Sequence, residues 1–207
     1  MTITTPFEPI SRDNTALVIV DMQKDFLEEG GACFIPGGRS VVPAIASCLA
    51  SFRVARLPVV HAFTVWRKDG SDMSRFTTSE ALRERGLRVG QPGIDPVPEL
   101  EPRNPEYVVQ KVRYSAFYKT ELEHLLRSLG IVHVVTVGVA TNYCVRATVH
   151  DAAFRDFLPV VLRDCTTSYT EAEHSQSLKD IEAGFGWVRD SDELLTEIGI
   201  NTAAAAA

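Results

Sequence analysis

The chain of 207 residues contains 21 Lys and Arg against 27 Asp and Glu, a formal net charge of −6 at pH 7. This acidic balance and the lack of a basic block exclude nucleic acid and anionic membrane surfaces as expected partners. Hydrophobic residues make up 45% of the chain, enough for the core of one ordinary domain, and no apolar run reaches the length of a membrane span. The start lacks the basic and apolar regions of a secretory signal, and the four cysteines are widely scattered. These features favour free thiols and a cytoplasmic location.

Apolar runs alternate with segments of helical periodicity along the chain. Val- and Ile-rich runs predict five strands and leave a short sixth open at "WVRD", in the order 16–21, 58–65, 107–111, 131–138, 158–164 and 187–190. Apolar positions at helical spacing predict four helices, at 40–56, 119–130, 142–157 and 170–186. This alternation predicts an α/β fold of three layers, in which helices cover both faces of a mostly parallel sheet.

No internal repeat or linker divides the sequence, so we predict a single domain over residues 1–202, followed by a terminal alanine remnant at 203–207. The stretch 66–106 interrupts the alternation, with only one weak helical segment, "SEALRERG", among prolines and glycines. A solvated insertion and a functional loop are both open interpretations of so long a segment. We favour a lid or an oligomer contact, because the segment leaves from the strand ends at which such sheets bind ligands.

Three chemically active side chains follow three predicted strands. Asp21 ends the run "ALVIVD", Lys111 ends "YVVQK", and Cys144 follows the turn after the fourth strand. Singly, each has a plain structural interpretation as a turn cap, a solvated strand end or a small buried hydrophobe. Together at one sheet edge they predict a nucleophilic site, in which a carboxylate base, a cation and a helix N-terminus are expected to ionise the thiol.

A pair of cysteine and histidine is the competing arrangement for a nucleophilic thiol. Two of the five histidines lie within predicted strands and His124 lies on a helix. His150 follows Cys144 by six residues, about one and two-thirds helical turns, and therefore points elsewhere. Asp21 is therefore the predicted base.

Three ordered segments, "ALVIVDMQKDF", "QKVRYSAFYKTELEHLLRSLGI" and "GVATNYCVRATVHDAAF", resemble the signature blocks of the isochorismatase-like cysteine hydrolases. The resemblance implies a six-stranded parallel sheet with helices on both faces and a catalytic triad of Asp21, Lys111 and Cys144. It also implies a cis peptide bond between Val139 and Ala140. With that bond, the N–H groups of Ala140 and Cys144 are expected to form an oxyanion hole.

The sequence departs from two branches of this family. Nicotinamidases carry Asp and His beside a Trp after the second strand, where they help to bind a metal; here Val65 and Arg67 flank Trp66, and neither is a usual metal ligand. We therefore expect no metal and no other cofactor. Isochorismatases proper lack the nucleophilic cysteine, so Cys144 argues against vinyl ether cleavage.

The remaining branch consists of metal-free amidases, and "KVRYSAF" and "IEAGFGWVRD" are similar to its members that act on ureides. We expect an amidohydrolase that releases ammonia from a small linear amide or ureide of the ureidoacrylate, biuret or N-carbamoyl type. Hydrolysis of maleamate or nicotinamide, and a non-catalytic scaffold, are the alternatives. Relatives in the family also lead us to expect a homo-oligomer, a dimer or a tetramer.

Arg113 stands two residues after Lys111, and its fork of donors suits a carboxylate or ureido oxygen. A surface ion pair is an equally weighted interpretation of this residue. The other residues expected to bind substrate are Gln23, Phe26, Trp66, Asn142 and Tyr143, although Phe26 and Trp66 equally suit the core.

Overall fold

A computed structural model describes residues 7–200. Its centre is one sheet of six parallel strands in the spatial order β3-β2-β1-β4-β5-β6. The strands are β1 (Thr15–Val20), β2 (Val59–Thr64), β3 (Tyr107–Lys111), β4 (His133–Val139), β5 (Leu158–Thr167) and β6 (Trp187–Arg189). The predicted α/β class and the parallel sheet are confirmed, and "WVRD" contains the sixth strand.

Helices cover both faces of this sheet. They are α1 (Lys24–Leu27), α2 (Val42–Ala55), α3 (Glu80–Arg85), α4 (Leu122–Ser128), α5 (Arg146–Ala153), α6 (Glu171–Gly184) and α7 (Ser191–Glu197). Apolar side chains of α2 and α7 fill one core cluster, and those of α4, α5 and α6 fill the other. Successive residues of β1 alternate between the two, Leu17 and Ile19 on one side and Val18 and Val20 on the other. Both faces of the strand are therefore buried, which explains its continuous apolar run.

Several element boundaries differ from those predicted. The helix predicted over 119–130 is confined to Leu122–Ser128, and the strand predicted to end at 164 continues to Thr167. The helix predicted from 142 begins instead with a π-helical turn, Thr141–Val145, before α5. The short helices α1 and α7 were not predicted. The terminal remnant 203–207 lies outside the described residues.

The 66–106 segment is attached to the body at both ends. Near its start the Trp66 indole N–H donates to the Val112 carbonyl (3.2 Å), and near its end the Val97 N–H donates to the Met22 carbonyl (3.1 Å). Leu87, Val97 and Leu100 are buried in the main core. In the first half of the segment, Ser74 and residues 76–79 line a cavity at the sheet edge. Among residues 7–200, no helix combines the length and hydropathy needed to cross a bilayer.

Candidate active site

The carboxyl ends of four adjacent strands bring one polar side chain each to the same edge. In sheet order these are Lys111 at the end of β3, Thr64 at the end of β2, Asp21 directly after β1, and Cys144 beyond β4. The sequence predicted three of these four residues. Thr64 was not predicted, because threonine is common in strands and its position at a strand end is a weak signal.

Asp21 and Lys111 form an ion pair that is closed off from solvent. The Lys111 Nζ lies 2.7 Å from Asp21 Oδ2, and both side chains have 0% exposure. Burial alone would lower the pKa of the Lys111 ammonium, but the negative charge of Asp21 and the nearby Cys144 thiol outweigh burial and raise that pKa. Lys111 is therefore held as a cation, and its positive charge compensates the buried carboxylate.

Cys144 lies within the π-helical turn and is buried, with 5% of its surface exposed. Burial raises the pKa of the Cys144 thiol far above its ordinary value and the Asp21 carboxylate raises it further, while Lys111 lowers it by less. Burial and the Asp21 charge thus oppose the ionisation that the strand-end position of the thiol led us to expect. The geometry places the thiol beside a carboxylate that can accept its proton.

Side chains from separate elements hold the turn that carries Cys144. The Val139–Ala140 peptide bond, directly before this turn, is cis. The Thr141 hydroxyl lies 2.9 Å from His174 Nδ1, and the Thr148 hydroxyl donates to the Cys144 carbonyl (2.7 Å). The two hydrogen bonds hold this turn on both sides of the thiol. The cis peptide bond agrees with the expectation from the family resemblance, whereas the two hydrogen bonds were not expected.

Gly138 shows why β4 can approach β1 so closely at this point. Its φ is +109°, and a Cβ built there would lie 2.1 Å from the Val20 carbonyl oxygen. An L side chain is excluded by both the space and the backbone conformation. The glycine therefore allows the turn to bring Cys144 over the end of β1.

A cavity of about 370 Å³ opens above the thiol. Cys144, Ala140 and Thr64 line it, and Arg113 is the one charged residue among its lining residues in the described chain. Its aromatic lining residues are Phe26, Trp66, Phe76, Tyr114, Tyr143 and Tyr169. At the mouth, the ring centroids of Tyr114 and Tyr143 are 5.5 Å apart, and Phe76 is 85% exposed. The site combines an apolar aromatic wall with a single cation.

The structure distributes the expected substrate-binding residues unevenly. Phe26, Trp66, Arg113 and Tyr143 line the cavity, as does the unpredicted Cys33.

Gln23 and Asn142 do not line it, so those two expectations are wrong. Gln23 is fully buried, and its amide pairs with the backbone of Thr64 through the Thr64 N–H (3.0 Å) and carbonyl (3.0 Å). Asn142 Oδ1 accepts from the Ser168 hydroxyl (2.6 Å). The hydrogen bonds of both amides are therefore made within the protein, by Gln23 to the backbone of Thr64 and by Asn142 to the side chain of Ser168.

The segment after β2 does not fit a metal site. Val65 is buried and apolar, and Arg67 is exposed and brings a cation. Among residues 7–200, no group of three or more His, Cys, Asp or Glu side chains is arranged to hold a metal ion.

The fold and this site agree with a known family. The chain matches the model of the isochorismatase domain over residues 15–193 and belongs to the isochorismatase family. It is 32% identical to ureidoacrylate amidohydrolase RutB of Pantoea ananatis (strain LMG 20103), over 93% of this chain and 85% of that protein.

Two solved structures are similar throughout. A cysteine hydrolase from Pseudomonas syringae pv. phaseolicola 1448A superposes with a TM-score of 0.87 at 27% identity and covers 96% of each chain. N-carbamoylsarcosine amidase from Thermoplasma acidophilum superposes with a TM-score of 0.73 at 28% identity, over 86% of this chain and 97% of that one. The predicted family is confirmed, and so is the class of protein, an amidohydrolase.

Proposed function

We propose that this chain is a metal-independent cysteine amidohydrolase that releases ammonia from a small linear amide or ureide. The observation that carries the proposal is the solvent-free Asp21–Lys111 ion pair beside the Cys144 thiol, at the base of a cavity of about 370 Å³. The three side chains supply a base, a compensating cation and a nucleophile in one place.

In the first half of the reaction, Asp21 takes the thiol proton while Cys144 Sγ bonds to the substrate carbonyl carbon. The carbonyl oxygen becomes an anion, and the backbone N–H groups of Ala140 and Cys144 stabilise it. The C–N bond then breaks, and the departing nitrogen takes the proton from Asp21 and leaves as ammonia. The acyl group remains on Cys144 as a thioester, or as a thiocarbamate if the substrate is a ureide.

In the second half, a water molecule gives a proton to Asp21 and its oxygen attacks the same carbon. The C–S bond breaks, the acid or carbamate leaves, and Asp21 returns its proton to the sulfur. Lys111 remains a cation throughout and stabilises the carboxylate before each proton transfer.

The lining of the cavity supports ureides of the ureidoacrylate, biuret or N-carbamoyl type. Arg113 offers donors for an oxygen-rich end, while Trp66 and Phe26 supply flat apolar walls. The names of the relatives, ureidoacrylate amidohydrolase and N-carbamoylsarcosine amidase, point to the same group of substrates. Ureides are therefore proposed ahead of maleamate and nicotinamide.

A screen for ammonia release, over ureidoacrylate, biuret, N-carbamoyl amino acids, maleamate and nicotinamide, tests the proposal. Cys144→Ala should lower turnover of the best compound by at least about 10⁴-fold, because the covalent route is lost. Cys165→Ala is the matched control, since Cys165 is buried in the core and does not line the cavity. Wild-type turnover by Cys144→Ala, or no ammonia from any amide or ureide, would contradict the proposal.

A further inference from the structure

Thr64 is the polar residue of the site that the triad does not include. It ends β2, between the strands that carry Asp21 and Lys111, and is 6% exposed. Its hydroxyl donates to Asp21 Oδ1 (2.9 Å) and accepts from Lys111 Nζ (2.6 Å). A hydroxyl has one proton to donate. Because that proton goes to Asp21, Thr64 has none left for a substrate in the cavity.

The hydrogen bonds of the Asp21 carboxylate are divided unequally between its two oxygens. In the described chain, Oδ1 accepts two, from the Thr64 N–H (2.9 Å) and the Thr64 hydroxyl (2.9 Å). Oδ2 accepts one, from Lys111 (2.7 Å). A carboxylate has about four acceptor positions, two on each oxygen. The acceptor position that these bonds leave open is therefore on Oδ2.

The backbone of Thr64 is fixed by Gln23. The Gln23 side chain pairs with both the N–H and the carbonyl of Thr64, and its Nε2 also donates to the Ile94 carbonyl (2.9 Å). This arrangement holds the Thr64 N–H toward Asp21 Oδ1 as well. Thr64 is thus held in place by Gln23 and donates two hydrogen bonds, from its N–H and its hydroxyl, to Oδ1 of Asp21.

We infer that Thr64 is a positioning residue that occupies Oδ1 of Asp21 and thereby makes Oδ2 the oxygen that takes the Cys144 proton. The inference rests on the proposed function for the identity of the base. The hydroxyl of Thr64 determines which oxygen of Asp21 takes the proton and how the plane of the carboxylate is oriented. The same hydroxyl holds Lys111 in place by accepting one of its protons.

The experiment compares Thr64→Val, which removes the hydroxyl at constant shape, with Thr64→Ser, which keeps it. Thr136→Val is the matched control, because Thr136 is likewise buried, on β4 at the other side of β1, and its Oγ1 has no hydrogen-bond partner in the described chain. Steady-state kcat and KM are measured on the best ureide. Alkylation of Cys144 by iodoacetamide at neutral pH is followed by mass spectrometry, which needs no substrate.

Thr64→Val should lower kcat by about 10- to 100-fold, as expected for a misplaced base, with KM within about twofold. Cys144 alkylation should slow by a similar factor. Thr64→Ser should keep kcat within about threefold, and Thr136→Val should match wild type. If wild type turns over no compound but the alkylation rates follow this order, the proposed function fails while the role of Thr64 stands.

Other results would overturn the inference. An unchanged kcat and an unchanged alkylation rate in Thr64→Val would show that the Thr64 hydroxyl does not position Asp21. A rise in KM at constant kcat would make Thr64 a substrate contact, and a Thr64→Ser variant as slow as Thr64→Val would assign the effect to the methyl group. If Thr64→Val does not fold, Thr64→Ser decides, since a tenfold loss of kcat there also contradicts the inference.

Discussion

The Arg113 guanidinium has both a structural contact and a face toward the cavity. Its Nη1 donates to the carbonyls of Asp72 (2.8 Å) and Val112 (2.6 Å), while the side chain lines the cavity. Both bonds use the same nitrogen, and a guanidinium has five donors on three nitrogens. The remaining donors suit a planar oxygen pair on a substrate. The surface ion pair left open by the sequence is not found among the described residues, because the structural contacts of Arg113 are to backbone carbonyls.

Arg113→Lys should lower kcat/KM for carboxylate or ureido substrates by about 10- to 100-fold, since an ammonium cannot reproduce a two-donor fork. This corresponds to about 1.5–3 kcal/mol for one charge-assisted bond. The loss should be small for a neutral amide such as nicotinamide. Arg39→Lys is the control, because Arg39 is exposed and paired with Glu99. Equal losses on charged and neutral substrates, or a collapse in melting temperature, would assign Arg113 to the scaffold.

At the residue scale, sequence reasoning found the groups whose chemistry is unusual at a strand end. Asp21, Lys111 and Cys144 were predicted because an ionisable or nucleophilic side chain directly after an apolar strand is unusual and indicates a chemical role. Gln23 was wrongly assigned to the substrate pocket. Its place after a strand indicates where the residue lies, but its hydrogen-bond partner Thr64 is 41 positions away in the chain and cannot be inferred from local sequence. A neutral polar residue such as Thr64 gives no signal of this kind.

At the scale of elements, a carboxylate on α1 connects two segments that border the cavity. Asp25 is buried, and its oxygens accept from the N–H groups of Ala32 (3.1 Å) and Leu87 (2.7 Å). Gly93 packs against the same carboxylate so closely that a Cβ there would lie 2.2 Å from Asp25 Cγ. The short helix α1, which follows β1, therefore anchors the 66–106 segment.

Asp25→Asn should weaken the attachment of the 66–106 segment. The amide nitrogen of Asn is a donor, so one of the two N–H groups that Asp25 binds would lose its acceptor. An unsatisfied buried group costs about 1–3 kcal/mol. We expect KM to rise and limited proteolysis between residues 66 and 106 to accelerate. Asp95→Asn is the control, since Asp95 is 56% exposed and paired with Lys24. Unchanged proteolysis in Asp25→Asn would show that the segment is held by its apolar residues alone.

The type and order of most elements followed from apolar periodicity, but their ends did not. β5 continues to Thr167 because it follows β4 across a register shift between Thr136 and Gly138, which the sequence does not reveal. The π-helical turn over Thr141–Val145 is likewise invisible to a periodicity of 3.6 residues. Both features lie next to Cys144, where tertiary contacts override local preference.

For the whole molecule, Glu106 connects the edge strand β3 to the rest of the fold. Its carboxylate binds Arg53 of α2 (2.5 Å), His61 of β2 (2.9 Å) and the Arg103 N–H (2.8 Å). Burial alone would raise the pKa of Glu106, but these hydrogen bonds outweigh it and lower the pKa from 4.5 to about 2. Because the pKa is lowered by folding, the stabilisation is complete above pH 4.5 and is lost as pH falls toward 2.

Glu106→Gln should lower the free energy of unfolding at neutral pH by about 1.5–3 kcal/mol, the usual contribution of hydrogen bonds to a charged group. The difference from wild type should shrink as pH falls from 4.5 toward 2, which urea unfolding at several pH values measures. Glu99→Gln, at an exposed ion pair, should cost at most about 1 kcal/mol. A Glu106→Gln deficit independent of pH would show that the carboxylate charge is not the cause.

The order of strands has a consequence for partial unfolding. Thr64 ends an inner strand, and Asp21 and Cys144 follow inner strands, whereas Lys111 lies on β3, which has one neighbour and forms an edge of the sheet. Edge elements open at a lower free energy than the core of a domain. Fraying of β3 would leave the buried Asp21 carboxylate without its cation while the rest of the sheet stays paired. Activity should therefore be lost at a lower urea concentration than the helical circular dichroism signal. The loss of activity would then measure the separation of β3 from the sheet.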